Sequence, residues 1–210
     1  MITMNGKYLF HVHTYRCHHA ENIPDEVYIK RAIELGADSI WFSDHAPFPG
    51  NLFGNRMAYE QLSEYLFTLH NLKVRYEGQI DVHIGLEIEY FPSFDESGYY
   101  YRLKSMPYLE FLLIGQHMAE FQRDDAAYTF NMPNEWLDKN EFKVLEMAEI
   151  FGISSGYFDY VAHPDRIFRR CKKWTKEMQK ITEDIVSAAV DKDIWYFLLL
   201  GEGLNLFGLY

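Results

Sequence analysis

The stretch Tyr8-Leu-Phe-His-Val-His13 is a short apolar run that ends in two histidines. Its aromatic and aliphatic residues are typical of a β-strand. Because side chains alternate along a strand, His11 and His13 are expected on the same face at the carboxyl end. Tyr15-Arg-Cys-His-His19 follows directly and adds two further imidazoles. The sequence therefore predicts a strand that ends in several metal ligands.

The same pattern, an apolar run followed by a ligand-type side chain, recurs along the chain. Further strands are predicted over residues 39–43, 81–89, 111–115, 158–162 and 194–200, helices over 24–35, 58–76, 140–151 and 175–192, and a polar insertion over 120–139. Strands that alternate with helices predict a mostly parallel sheet. His45, Glu87, His117 and His163 fall at or just beyond strand ends. An open sheet would spread these residues along an edge, whereas a barrel brings them to one mouth, so the pattern favours a barrel.

The chemistry of this ligand set indicates a divalent metal. Imidazoles mixed with a carboxylate suit zinc, iron or manganese, and a carboxylate can bridge two ions. The chain contains nine histidines, of which His70 lies inside a predicted helix and His83 inside a predicted strand; we interpret both as structural. Cys17 beside His18 and His19 could act as a nucleophile, but these histidines are better explained as ligands.

Composition restricts the class of protein. The 210 residues predict one domain over residues 1–210, and the 48% hydrophobic content excludes global disorder. A net charge of −11 argues against binding to a nucleic-acid backbone or an anionic membrane surface. The first residues do not form a secretory signal, the longest apolar run is too short for a bilayer, and two cysteines make no disulfide framework. A cytoplasmic protein is expected.

Six segments in a fixed order carry a family resemblance. They are residues 11–20, 42–47, 55–57, 85–90, 114–117 and 158–165. Together they resemble the PHP (polymerase and histidinol phosphatase) domain family, and within it the histidinol-phosphatase type, over about residues 8–170. The resemblance implies an α/β fold, a distorted (β/α)7 TIM-like barrel, with up to three metal ions at the carboxyl ends of its strands.

The resemblance also implies which residues bind each ion. The first site would use His11 and His13, with Glu87 bridging to a second site that adds His117 and His163. These five residues are the expected catalytic set. A third site would use His19 and His45. Glu87 is preferred to Glu89 as the bridge because it occupies the family's Gly-x-Glu position. Two to three zinc, manganese or iron ions are the implied cofactors.

The implied reaction is hydrolysis of a phosphomonoester, with L-histidinol phosphate as the leading substrate. Clustered cations bind phosphoryl oxygens and lower the pKa of a bound water, and their charge reverses the local field of an acidic protein. Arg56 and one of Arg166, Arg169 and Arg170, with Arg169 preferred, are expected to hold the phosphate, and His18 to meet the substrate. Alternatives are a different small phosphate substrate, or a truncated remnant that binds metal and phosphate without turnover.

Residues 191–210 depart from the family pattern. The family shows a Glu-x-Asn segment and later an Asp-x-His pair, whereas the last histidine of this chain is His163. The last βα unit is therefore expected to be missing, and the third ion to bind weakly unless phosphate supplies a ligand. The sixth strand would then be an apolar edge, which predicts a homodimer formed through the carboxyl-terminal strand.

Overall fold

The computed structural model describes residues 6–122 and 127–197 and divides into two compact units. The first unit contains the chain up to Glu87 together with Ser105–Phe111. The second unit contains Ile88–Lys104 and the chain from Leu112 onward. Each unit has its own buried apolar core of aliphatic and aromatic side chains.

The first unit is a parallel three-stranded sheet with its crossover helices. Its elements are β1 (Tyr8–Val12), α1 (Asp25–Glu34), β2 (Ser39–His45), α2 (Leu62–Arg75) and β3 (Asp81–Ile88), whose last residue belongs to the second unit. The strand order is β1-β2-β3, and both pairings are parallel. Ile40, Phe42, Ile84 and Leu86 are buried in the two longer strands. These elements lie where the sequence predicts them, with ends displaced by a few residues.

The described residues of the second unit form a parallel row of strands, four α-helices and a small antiparallel pair. Its elements are α3 (Pro92–Glu96), α4 (Tyr99–Lys104), β4 (Phe111–Ile114), β5 (Glu120–Gln122), β6 (Ala127–Tyr128), α5 (Asn134–Ser155), β7 (Tyr160–Ala162), α6 (Lys176–Asp191) and β8 (Trp195–Phe197). The row β4-β7-β8 is parallel, and β5 pairs with β6 in the antiparallel sense. Among the described residues, β8 is the outer strand of this row.

Three local expectations differ from the structure. The polar insertion predicted over residues 120–139 contains β5 and β6, and α5 already begins at Asn134. Pro133 precedes the helix in an extended conformation, and its carbonyl accepts the first helical N–H groups. The sequence does not predict the short helices α3 and α4. Helices of 5 and 6 residues are too short for the spacing of their apolar residues to show a helical period.

The α/β fold with parallel strands is confirmed in each unit. The count of seven βα units, the missing last unit and the edge-mediated homodimer stay predictions. Residues 198–200 of the sixth predicted strand, and the tail from 198 to 210, lie outside the described residues. Among the helices of the described ranges, none has the length and apolar character required to cross a bilayer.

Gly85 in β3 leaves space for an aromatic ring, and this gives a first prediction. A Cβ added at Gly85 would overlap the ring of Phe111, which is itself buried. Gly85→Ala should therefore lower the free energy of unfolding by about 1–3 kcal/mol, measured by urea denaturation. Gly54→Ala is the matched control, since nothing lies within 4 Å of its added Cβ. Equal losses in the two variants would contradict this packing argument.

Candidate metal centre

Three imidazoles in the first unit surround one buried carboxylate oxygen. The Oε2 atom of Glu87 lies 3.0 Å from Nε2 of His11, 3.4 Å from Nε2 of His13 and 3.2 Å from Nδ1 of His45. The Glu87 side chain is 1% exposed. Buried charges require partners or a metal, so nitrogen atoms that converge on a carboxylate have the donor set of a metal centre.

Sheet register brings two of these residues together. His45 and Glu87 are direct partners at the ends of the parallel strands β2 and β3. The N–H of Ala46 donates to the carbonyl of Glu87 at 2.8 Å and extends the ladder past the last pair. The sequence places both residues at strand ends, and the parallel register accounts for their contact.

The geometry of His11 differs from the simple alternation that the sequence predicts. β1 has a register irregularity between Leu9 and Val12, and His11 has φ +61°, in the left-handed region. Non-glycine residues rarely occupy this region, and such backbone strain concentrates at functional sites. His13 follows the end of the strand, and the two ring centroids lie 4.8 Å apart. A bulge, rather than regular alternation, directs both rings to Glu87.

His19 lies beside the rings of His13 and His45, at centroid distances of 5.0 and 4.9 Å. Burial lowers the pKa of His19, and the charge of His13 lowers it further, which favours the neutral ring that binds metal. Burial also disfavours the charged form of His11, but the charge and hydrogen bond of Glu87 outweigh it, so the pKa of His11 is raised. All four histidines predicted for the first and third sites are therefore close together in this unit.

The second unit contains a separate cluster. Nδ1 of His117 lies 3.1 Å from Oε1 of Glu89, a carboxylate that is 1% exposed. The ring of His163 lies 5.0 Å from that of His117, centroid to centroid. His163 directly follows β7 and has φ +30°, which is again a strained backbone for a non-glycine residue.

The side chain of Gln116 holds this second cluster together through strand-like hydrogen bonds to a neighbouring backbone. Gln116 accepts from the N–H of Tyr90 at 3.0 Å and donates to its carbonyl at 3.2 Å. The N–H of Gly115 donates to the carbonyl of Ile88 at 3.3 Å. These bonds join the segments that carry Glu89 and His117. The family's Gly-x-Glu position favours Glu87 over Glu89 as the bridging carboxylate. Because side chains alternate along a strand, Glu89 is expected on the same face as Glu87, and this alternation is the sequence feature that indicates its position.

Behind the first cluster lies a buried polar network that the sequence did not predict. Asp44 accepts from the N–H of Thr14 at 3.0 Å and from its hydroxyl, and its Oδ1 lies 3.5 Å from Nδ1 of His13. Arg16 is 1% exposed; it donates to both oxygens of Asp25 at 2.9 Å and to Glu64 at 3.0 Å. The network fixes the loop that carries the histidines after β1.

Removal of Arg16 gives a second prediction. Arg16→Leu leaves the 4% exposed Asp25 without its cation, so the free energy of unfolding should fall by about 3–5 kcal/mol. Urea denaturation measures this loss. Arg31→Leu is the control, because its ion pair with Glu34 at 2.8 Å is exposed and should contribute at most about 1 kcal/mol. A comparable loss in both variants would contradict the role of the buried network.

The three predicted substrate residues have different surroundings. Arg56 is 6% exposed, donates to the carbonyl of Ala46 at 3.0 Å and lies over the rings of Phe48 and Phe53. Arg169 donates to Glu141 at 2.7 Å. His18 is exposed, with φ +63°. Roles for Arg56, Arg169 and His18 in substrate binding stay predictions.

The two histidines interpreted as structural lie on aromatic rings. His70 stacks on Tyr108 and His83 stacks on Trp41, each at a centroid distance of 3.9 Å. His83 also lies 3.3 Å from the carboxylate of Glu110. Neither belongs to the histidine groups described above.

Comparison with known proteins identifies the family of this chain. The profile of the PHP domain matches residues 10–195, which is most of the chain. The chain belongs to the PHP domain family. This match includes every histidine and both carboxylates of the two clusters, from His11 to His163.

Two curated relatives are similar in sequence. The chain is 32% identical over 124 residues to the histidinol-phosphatase of Bacillus subtilis, an alignment that covers 56% of this chain and 45% of the relative. It is 36% identical over 90 residues to the probable histidinol-phosphatase of Deinococcus radiodurans, covering 42% and 34% of the two chains. The chain thus spans less than half the length of these curated relatives.

Two solved structures share the fold. A crystal structure from Listeria monocytogenes superposes with a TM-score of 0.69 at 17% identity and covers 90% of this chain and 81% of that one. Histidinol phosphate phosphatase from Lactococcus lactis, solved with zinc, L-histidinol and phosphate, gives 0.66 at 18% identity and covers 91% and 72%. At these identities the likeness establishes a shared fold alone.

Proposed function

We propose that this PHP chain is a metal-dependent phosphomonoester hydrolase that converts L-histidinol phosphate and water to L-histidinol and phosphate. The observation that carries the proposal is the convergence of three imidazole nitrogens on one buried oxygen of Glu87. The ligand atoms of His11, His13 and Glu87 lie within 4.8 Å of one another, so small side-chain movements suffice to enclose an ion. Nitrogen and carboxylate donors fit zinc, manganese or iron, whereas magnesium and calcium prefer oxygen alone.

The first and third ions are proposed to bind at the first cluster, and the second ion at the second cluster. His11, His13 and Glu87 hold the first ion, and His117 and His163 bind a second. His19 and His45 are the ligands proposed for a third. In the tautomer of His117 that donates from Nδ1 to Glu89, Nε2 carries the lone pair that would coordinate a metal. Glu89 is thereby a positioning residue for His117, and a bridge from Glu87 to a second ion stays a prediction.

In the proposed reaction, the metal ions and the residues of the chain have different roles. Bound divalent ions polarise a phosphoryl oxygen and lower the pKa of a bound water. The buried carboxylates and the imidazoles hold the reacting groups in fixed positions, which lowers the reorganisation that hydrolysis requires. Positive ions also explain how a chain with a net charge of −11 accepts an anionic substrate.

The substrate is inferred from the relatives. Both curated relatives carry the name histidinol-phosphatase, and the Lactococcus lactis protein was solved with L-histidinol and phosphate. A small phosphorylated alcohol is therefore the proposed partner of this site. Arg56 and Arg169 are proposed to contact its phosphate and His18 its remaining polar groups.

Phosphate release from a panel of small phosphomonoesters tests the proposal. The full chain, loaded with zinc, manganese or iron, should release phosphate from L-histidinol phosphate with a higher kcat/KM than from other substrates. Removal of metal by a chelator should abolish release, and added metal should restore it. A higher kcat/KM for another phosphomonoester would show that the proposed substrate is wrong, whereas the proposed reaction class would stand. Firm metal binding without any phosphate release would contradict the enzymatic function and favour a metal-binding remnant.

A further inference from the structure

The sulfur atom of Cys17 lies among the imidazoles of the first cluster. Cys17 is fully buried in the single 3-10 turn Tyr15–Cys17, which separates His13 from His19. Its Sγ atom and ligand nitrogens of His13 and His19 lie within 4.8 Å of one another. This group differs from the ligand sets assigned above, because it brings a sulfur donor to a site of nitrogen and oxygen atoms.

The separation is close to that of a metal-bound set. Tetrahedral zinc has bonds of about 2.3 Å to sulfur and about 2.0–2.1 Å to nitrogen, which places the two ligand atoms about 3.6 Å apart. Since the three ligand atoms lie within 4.8 Å of one another, their separations need to shorten by at most roughly 1.5 Å to coordinate one ion. His19 is exposed and can make this adjustment.

A sulfur–metal bond requires the thiol of Cys17 to lose its proton. Sγ of Cys17 donates to the carbonyl of Thr14 at 3.0 Å, as a thiol does. The thiol proton then passes to solvent as the metal–sulfur bond forms.

We propose that Cys17 is a thiolate ligand, together with His13 and His19, of a zinc-type ion at the first cluster. The thiolate supplies a negative charge that the imidazoles of His13 and His19 alone cannot provide. His13 belongs to both groups, and one imidazole nitrogen binds one ion, so the sulfur-bound ion and the ion assigned to His11, His13 and Glu87 compete for this ligand. The remaining coordination position is open to water or a phosphate oxygen. The inference rests on the proposed function only in placing divalent ions at this cluster.

Cobalt(II) titration of the metal-free full chain tests the inference, because a cobalt–thiolate bond gives an intense near-ultraviolet charge-transfer band. The wild-type chain should show this band. Cys17→Ser should lose it, and affinity for the sulfur-bound ion should fall by at least about tenfold. Cys171→Ser is the matched control and should retain the band, since Cys171 lies in the second unit, outside the histidine groups. Proton release on metal binding should fall in Cys17→Ser alone.

The outcomes separate this inference from the proposed function. Bound cobalt without a charge-transfer band, or a band that persists in Cys17→Ser, overturns the role of Cys17 and leaves a nitrogen–oxygen metal centre. Failure of the wild-type chain to bind cobalt contradicts both proposals. If Cys17→Ser does not fold, zinc X-ray absorption of the wild-type chain decides: a sulfur shell at about 2.3 Å supports the thiolate, and nitrogen and oxygen neighbours alone overturn it.

Discussion

Glu87→Gln should reduce metal content and should lower phosphatase activity by about 10³-fold or more. The physical reason is the position of Oε2, which lies within 3.4 Å of a nitrogen atom of each of His11, His13 and His45. The amide has nearly the same shape but no charge, so it removes the anionic donor while the packing is retained. Elemental analysis of the purified variant and phosphate release under metal saturation measure the two effects.

Two carboxylates provide controls for Glu87→Gln. Glu89→Gln should cause a smaller loss, because Glu89 lies against His117 in the second cluster, whereas Oε2 of Glu87 is the point on which three imidazoles converge. Glu110→Gln should leave metal and activity unchanged, although its carboxylate lies 3.3 Å from His83. Equal losses in Glu87→Gln and Glu89→Gln would show that the choice of the principal carboxylate is wrong.

Replacement of His117 or His163 by glutamine should abolish measurable phosphate release and remove about one ion per chain. Each imidazole is a ligand in the second proposed site, and a site with so few protein ligands cannot retain its ion when one is lost. Activity should fall by about 10²–10³-fold or more. Metal analysis and kcat of the variants measure these losses.

His70→Gln and His83→Gln are the matched controls for this second effect. Both rings stack on aromatic side chains, Tyr108 and Trp41 respectively, so their loss should affect packing alone. Metal content should stay at the wild-type value in both. Metal loss in His83→Gln would mean that the metal centre extends along β3 from Glu87 back to His83.

Much of the fold could be predicted, because the strands are short apolar runs with clear ends. β2 and β3 are buried along most of their length, and such continuous apolar runs can be recognised as strands from the sequence alone. The start of α5 at Asn134 and the helices α3 and α4 could not be predicted in this way. Pro133, directly before Asn134, is the local signal for the start of α5, whereas the limits of α3 and α4 depend on tertiary packing such as the burial of Tyr99 and Tyr100.

The candidate site could be predicted to a similar extent. His45 and Glu87 were recognisable from strand ends, and the parallel register makes them neighbours. The contact of Glu89 with His117 requires the pairing through Gln116, and the approach of Asp44 to His13 requires the fold of the loop after β1. The register irregularity at His11, with its positive φ, is a backbone feature that the alternation of side chains along β1 does not indicate.

Anomalous diffraction at the metal absorption edge, from crystals of the full chain grown with saturating metal, tests the central claim most directly. We expect one strong peak within bonding distance of His11, His13 and Glu87, and another at His117 and His163. A third peak, beside His19, should gain occupancy when phosphate is added, because the oxyanion supplies a missing ligand. Folded, metal-saturated crystals with no anomalous peak at either cluster would contradict the account.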